Sequence, residues 1–155
     1  MNHPKDEHDP NPPILALDLG QKTVGVAISD ELSITIKRLD PIRRTSWKDL
    51  LKNVSALVER FDAQTLVIGL PLSLDGTRGP AAESAHHLAV NFARSLKIPV
   101  YLQDERLTSE EARTSLREHG YNQTDVDALI DSESAAIILR DFLNSREERL
   151  RVRTD

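Results

Sequence analysis

Residues 14–29, ILALDLGQKTVGVAIS, hold one acid, Asp18, inside an otherwise apolar alternating run. Ile14, Ala16 and Asp18 alternate with Leu15, Leu17 and Leu19, so both faces of the predicted strand are apolar except at Asp18. Strands of that kind lie in sheet interiors. Gly20 opens a tight turn over GQKT, where positive φ is open to glycine, and VGVAIS returns as the second arm of a hairpin. An ionised carboxylate buried without a partner costs several kcal/mol. Asp18 must therefore sit at a strand end, pair with a base, stay neutral or hold a metal.

Outward from this hairpin, LSITIKRL reads as a third strand through its β-branched alternation. Ser46 with Asp49 marks a helix start, and Trp47, Leu50, Leu51, Val54, Leu57, Val58 and Phe61 recur at helical spacing over residues 46–61. TLVIGLP is a short continuous apolar run, the mark of a buried parallel strand. The loop PLSLDGTRGP leads through Pro80, suited to a first helical position, into a helix that Pro99 stops. VYLQDE is a further strand; TSEEARTSLREHG is a helix opened by Thr108 with Glu111 and closed by Gly120. The last helix runs through DSESAAIILRDFL, with Ala135, Ile138, Leu139 and Phe142 on one side.

That order predicts an α/β fold: a mixed five-stranded sheet, three antiparallel strands followed by parallel additions through right-handed crossovers, with helices on both faces. Open α/β sheets bind ligands beyond the carboxyl ends of their strands. Asp18 lies at such an end, and so do Asp104 and Glu105 of VYLQDE; Asp131 opens the last helix, where it also suits an N-cap. Asp104 and Glu105 point to opposite faces if the strand persists, so only one of them joins a shared cluster, and alternation leaves open which. Three carboxylates without cysteine suit a hard cation, Mg²⁺ or Mn²⁺, and phosphoryl-transfer chemistry.

The rest of the composition narrows the classes. A chain of 155 residues fits one domain. Residues 1–13, with four prolines among polar neighbours, read as a disordered lead-in, 14–144 as the domain and 145–155 as a charged tail. The absence of cysteine removes disulfides, thiolate metal sites and cysteine nucleophiles. No apolar run reaches a membrane span and the N-terminus lacks a signal-peptide core, so a cytoplasmic protein without membrane contact is expected. A net charge of −5 argues against a bulk electrostatic grip on nucleic acid but permits local basic patches. Lys37, Arg38, Arg43 and Arg44 form one such cluster, and Arg146, Arg149, Arg151 and Arg153 another; both read as solvated faces. His86 and His87 are adjacent on a helix and share no metal-binding face.

Four segments, LDLGQKTVGVAISD, VIGLPLSLDGTRGP, DERLTSEEAR and IDSESAAIILRDFL, resemble in order and spacing the YqgF family, named for Holliday-junction resolvases and, in bacterial members, for nucleases of pre-16S rRNA maturation. The likeness runs from Ile14 to Leu143. It implies the RNase H-like fold and places Asp18, Glu105 and Asp131 as catalytic, metal-binding acids. It also implies Lys22, Arg106 and Thr108 as phosphate contacts or positioning groups, with Arg78 of the DGTRGP loop a further contact. Where many RNase H-like nucleases carry their second acid beside the first, TLVIGLP offers Gly69, so the acid of the next strand is recruited instead. The implied substrate is pre-rRNA, in ribosome biogenesis with a ribosomal particle as partner, or branched DNA in recombination. Symmetric cutting of a junction needs a homodimer, and RNA cleavage a monomer alone. Two other readings compete: a binding module in ribosome assembly that keeps the fold without chemistry, and a sugar-kinase or actin-like phosphate loop in DLGQKTVG. The latter needs a second lobe for which the chain is too short.

Overall fold

A computed structural model describes residues 10–106, 108–145 and 149–154, without the side chains of 108, 109, 127 and 128. Strands β1 (Ile14–Leu19), β2 (Thr23–Ser29) and β3 (Ile36–Arg43) are followed by α1 (Trp47–Phe61), β4 (Thr65–Leu70) and α2 (Pro80–Ser95). Then come β5 (Val100–Asp104), α3 (Thr108–Glu118), α4 (Gln123–Asn144) and β6 (Leu150–Arg151). The sheet order is β3-β2-β1-β4-β5-β6. The first three strands pair antiparallel, β4 and β5 are added parallel, and β6 closes the far edge antiparallel to β5. The topology is the expected one with a sixth strand added: Leu150 and Arg151 pair with Leu102 and Tyr101, and Val152 is buried. Part of the segment expected as a charged tail is thus built into the sheet. At the other terminus, residues 1–9 lie outside the described residues, and the Thr65 hydroxyl donates to the Asn11 carbonyl at 2.8 Å.

Period-two alternation divides the core in two. Leu15, Leu17, Leu66 and Ile68 face α1 and α2, where Trp47 meets Phe92 edge-on at 4.8 Å between ring centroids. Ile14, Ala16, Ala27 and Val67 face α4, where Phe142 stacks obliquely on Tyr101 at 5.4 Å. Asp18 continues the second series, so its side chain belongs to the face that α4 covers.

Three boundaries differ from expectation. The third strand begins at Ile36, because residues 30–35 form a turn in which the Asp30 carboxylate accepts from the Ile34 amide at 2.7 Å and Ser33 adopts φ 56°. It then runs on to Arg43 through Pro41, which a bulged edge strand tolerates since its amide is not needed in the ladder. Gly20 is not in the positive-φ region; its lack of a side chain matters because a Cβ there would lie 2.5 Å from the Thr23 carbonyl oxygen. Asp131 does not open the last helix. Asn122 caps α4 by accepting from the Asp125 amide at 2.9 Å, which places Asp131 two turns further in. Gly120, at φ 87°, ends α3 as expected.

Candidate active site

Asp18 stands one residue before the end of β1, half-buried, opposite Gly25 of β2. On its other side Leu17 pairs with Ile68, so the next position along β4 is Gly69. Two glycines therefore flank the acid, and each makes room for another. A Cβ on Gly69 would lie 2.2 Å from Oε2 of Glu105 and 2.6 Å from the Ile138 side chain. A Cβ on Gly25 would lie 1.9 Å from the carbonyl oxygen of Asp131. The sheet is shaved at these points so that the Glu105 carboxylate can lie over β4 and the α4 backbone can settle on β2.

The choice between Asp104 and Glu105 follows from the same alternation. The Glu105 amide donates to the Leu70 carbonyl at 3.1 Å, extending the parallel ladder one residue past β5. Tyr101, Gln103 and Glu105 then share the face of Asp18, whereas Asp104 turns to the other side and takes the Arg106 guanidinium at 2.8 Å. Asp18 and Glu105 share a hydrogen bond. Asp131 reaches the same neighbourhood from α4, with its carboxylate accepting from the Thr23 hydroxyl and its charge acting on Asp18.

The electrostatics of this group run one way. Burial pushes the Glu105 carboxyl up to about 9, reinforced by the charges of Asp18 and Asp104. Asp18 is raised by burial and by the Asp131 charge, against the lowering effect of its bond to Glu105. Two carboxyls in contact, each pressed upward, share a proton between them. An all-oxygen, net-negative donor set of this kind suits a hard divalent cation, which would take the place of that proton. Among the described residues no three acids or histidines are drawn together as a complete metal shell; Asp131 is held by Thr23, adjacent to the Asp18–Glu105 pair.

The expected phosphate contacts divide. Lys22 is exposed in the turn after β1, and its carbonyl accepts from the Arg44 amide at 2.8 Å. Arg44, which the sequence reading set among solvated charges, bonds the Gly20 carbonyl through its guanidinium at 2.8 Å, so two cations stand at the mouth beyond Asp18. Arg78 is exposed on the loop after β4. Arg106 is occupied: besides Asp104 it reaches the Leu74 carbonyl at 3.4 Å, tying that loop to β5. Thr108 begins α3, but its side chain lies outside the described residues. Thr23 was missed, although its position at the start of β2 in GQKT was the available signal. A cleft of about 750 Å³ between β3, α3 and α4, lined by Arg38, Thr114, Glu133 and Arg140, contains none of the three acids.

The profile of the RuvX family, described as Holliday junction resolvase, matches residues 13–145. Among curated relatives, a protein of Anaeromyxobacter sp. (strain Fw109-5) named as a pre-16S rRNA nuclease is 36% identical over 132 residues, covering 85% of this chain and 96% of that protein. One of the same name from Synechococcus elongatus is 35% identical over 134 residues, covering 86% and 90%. Among solved structures, Thermus thermophilus RuvC in complex with a Holliday junction substrate superposes with a TM-score of 0.53 at 13% identity, covering 88% of this chain and 98% of that one. The architecture is therefore that of the RNase H-like resolvases.

Proposed function

The chain belongs to the RuvX family, and from that membership we propose that it is a nuclease hydrolysing phosphodiester bonds of structured nucleic acid, with the 5′ end of pre-16S rRNA as its target in the cytoplasm. The observation that carries this reading is the contact between Asp18 and Glu105, with Asp131 beside them, at the carboxyl edge of the central strands. Nothing in the fold's stability calls for two mutually repelling acids there, since packing alone is served better by apolar groups.

Asp18, Glu105 and Asp131 would together hold Mg²⁺ or Mn²⁺, which when bound lowers the pKa of water and steadies charge on the leaving oxygen. Glu105 and Asp18 must first release their shared proton. Thr23 fixes the rotamer of Asp131. Lys22 and Arg44 at the mouth, and Arg78 across the loop, meet backbone phosphates, supplying positive charge locally in a chain whose net charge is −5. The relatives' name favours RNA and the family description favours branched DNA; for pre-rRNA on a ribosomal particle a monomer suffices.

The test is cleavage of a pre-16S rRNA 5′ fragment and of a four-way DNA junction, each with Mg²⁺ or Mn²⁺, by wild type and Asp18→Asn. Cleavage of the RNA, reduced more than about 100-fold in the variant with binding retained, is expected, because even groups behind a metal ligand are worth 10–100-fold. Cleavage of the junction alone moves the substrate to DNA. No cleavage of either, with binding kept, leaves a non-catalytic assembly factor.

A further inference from the structure

Two residues beyond Asp131, the carboxylate of Glu133 is buried, its side chain 7% exposed. Arg38 on β3 grips it through both Nε and a terminal nitrogen, the latter at 2.9 Å from Oε1. Ser115 of α3 approaches the same oxygen at 3.4 Å, and the neighbouring Ser132 hydroxyl donates to the Leu39 carbonyl of β3 at 2.7 Å. Consecutive residues of α4 are thus tied to consecutive residues of β3, immediately after the acid that α4 delivers.

The surface beneath α4 explains why such a tie is useful. Where the helix crosses the first two strands it meets Ala16, Gly25 and Ala27 with Ala135 and Ala136 of its own, and its larger side chains, Ile138, Leu139 and Phe142, pack further along the helix. One residue of slip moves a helical side chain by about 1.5 Å and turns it by about 100°. Catalytic groups must be held to within about 0.5 Å. Apolar packing is non-directional and sets that position less sharply than a bidentate ion pair against a backbone-anchored strand.

We infer that Arg38 and Glu133, with Ser132, form a register lock that sets the axial and rotational position of α4 and thereby presents the Asp131 carboxylate to Asp18 and Glu105. Arg38 and Glu133 are positioning residues and touch no substrate. The inference rests on the nuclease reading for its catalytic consequence, and its structural part stands separately.

Two measurements on Arg38→Met, Glu133→Gln and the exchanged pair Arg38→Glu with Glu133→Arg separate these parts. Amide hydrogen exchange of residues 131–139 should quicken in both single variants, with α1 and α2 unchanged, and return toward wild type in the exchanged pair. Cleavage should fall about 10–100-fold in kcat with KM within about twofold, and recover in the exchanged pair. Single variants with wild-type exchange in α4 and undiminished kcat overturn the lock. So does a uniform rise in exchange across the whole molecule, which marks simple destabilisation. If wild type does not cleave, the nuclease reading fails alone and the exchange of α4 decides the lock.

Discussion

At the scale of single residues, a substitution at Gly69 tests the proposed catalysis apart from stability. The atoms a new methyl would meet there are the Glu105 carboxylate and the tip of Ile138, both ends of side chains that can swing away. Gly69→Ala should therefore fold, at a cost of about 1 kcal/mol, while displacing Glu105 from Asp18. The expected result is a loss of at least about 10-fold in kcat, with Tm within a few degrees of wild type. Unchanged cleavage by this variant would show that Glu105 is not needed where it lies. The same pair of acids predicts a pH dependence. Glu105, near 4.5 when unfolded and about 9 when folded, binds more protons in the native state between those values, so stability falls as pH rises through that window. Glu105→Gln removes the ionisation and should melt higher than wild type, by a margin that widens from pH 5 to pH 9. On the proposed reading a divalent cation would take the place of the shared proton, so Mn²⁺ should raise the wild-type Tm more at pH 8 than at pH 5. Calorimetry or thermal shift across that range reads both effects.

At the scale of elements, the contact of α4 with β2 is the counterpart. A Cβ on Gly25 would strike the Asp131 carbonyl and the Ser132 amide, and backbone cannot step aside as a side chain does. Gly25→Ala should lift the helix and cost about 1–3 kcal/mol, a fall in Tm of roughly 2–10 °C, with activity lost alongside. Retained stability would mean that α4 does not rest on β2 as described. This contact also marks the limit of what the sequence disclosed. Strands β1, β2 and β4 and helices α1 and α2 were legible because hydrophobic period, Ser46 and Pro80 all speak locally. The start of α4 was misplaced because Asp131 also suits an N-cap, whereas the cap that forms is Asn122, accepting from the Asp125 amide two turns earlier. Asp18 was legible as an acid out of place in an apolar strand. Its partner was legible only to within one position, until the extra rung from Glu105 to Leu70 decided the face. The roles of Thr23 and Arg44 were not assigned because their partners, Asp131 of α4 and the Gly20 carbonyl in the β1–β2 turn, are remote in sequence.

At the scale of the whole molecule, the sheet is finished by residues that look dispensable. Leu150 and Arg151 pair with β5, the Val152 amide donates to the Val100 carbonyl at 2.8 Å, and the Val152 side chain is buried against the core that holds Phe92 and Leu96. A two-residue strand in a run dominated by arginine carries no readable period, which is why it passed for a tail. Its position matters more than its length. It covers the edge of β5, the strand that leads into Glu105, and without it that edge is open to pairing with other chains. Removing everything after Ser145 uncovers the β5 edge and the pocket filled by Val152, a side chain whose burial contributes about 1.5–3 kcal/mol. The truncated chain should lose roughly 3–10 °C in Tm and associate more readily, while kcat at a temperature where it remains folded stays within about twofold of wild type. The last condition follows because β5 is anchored on its other side by β4 through five paired positions, from Leu66 with Val100 to Leu70 with Asp104. A truncation that keeps its Tm but loses kcat would invert this assignment and place the C-terminal segment at the site.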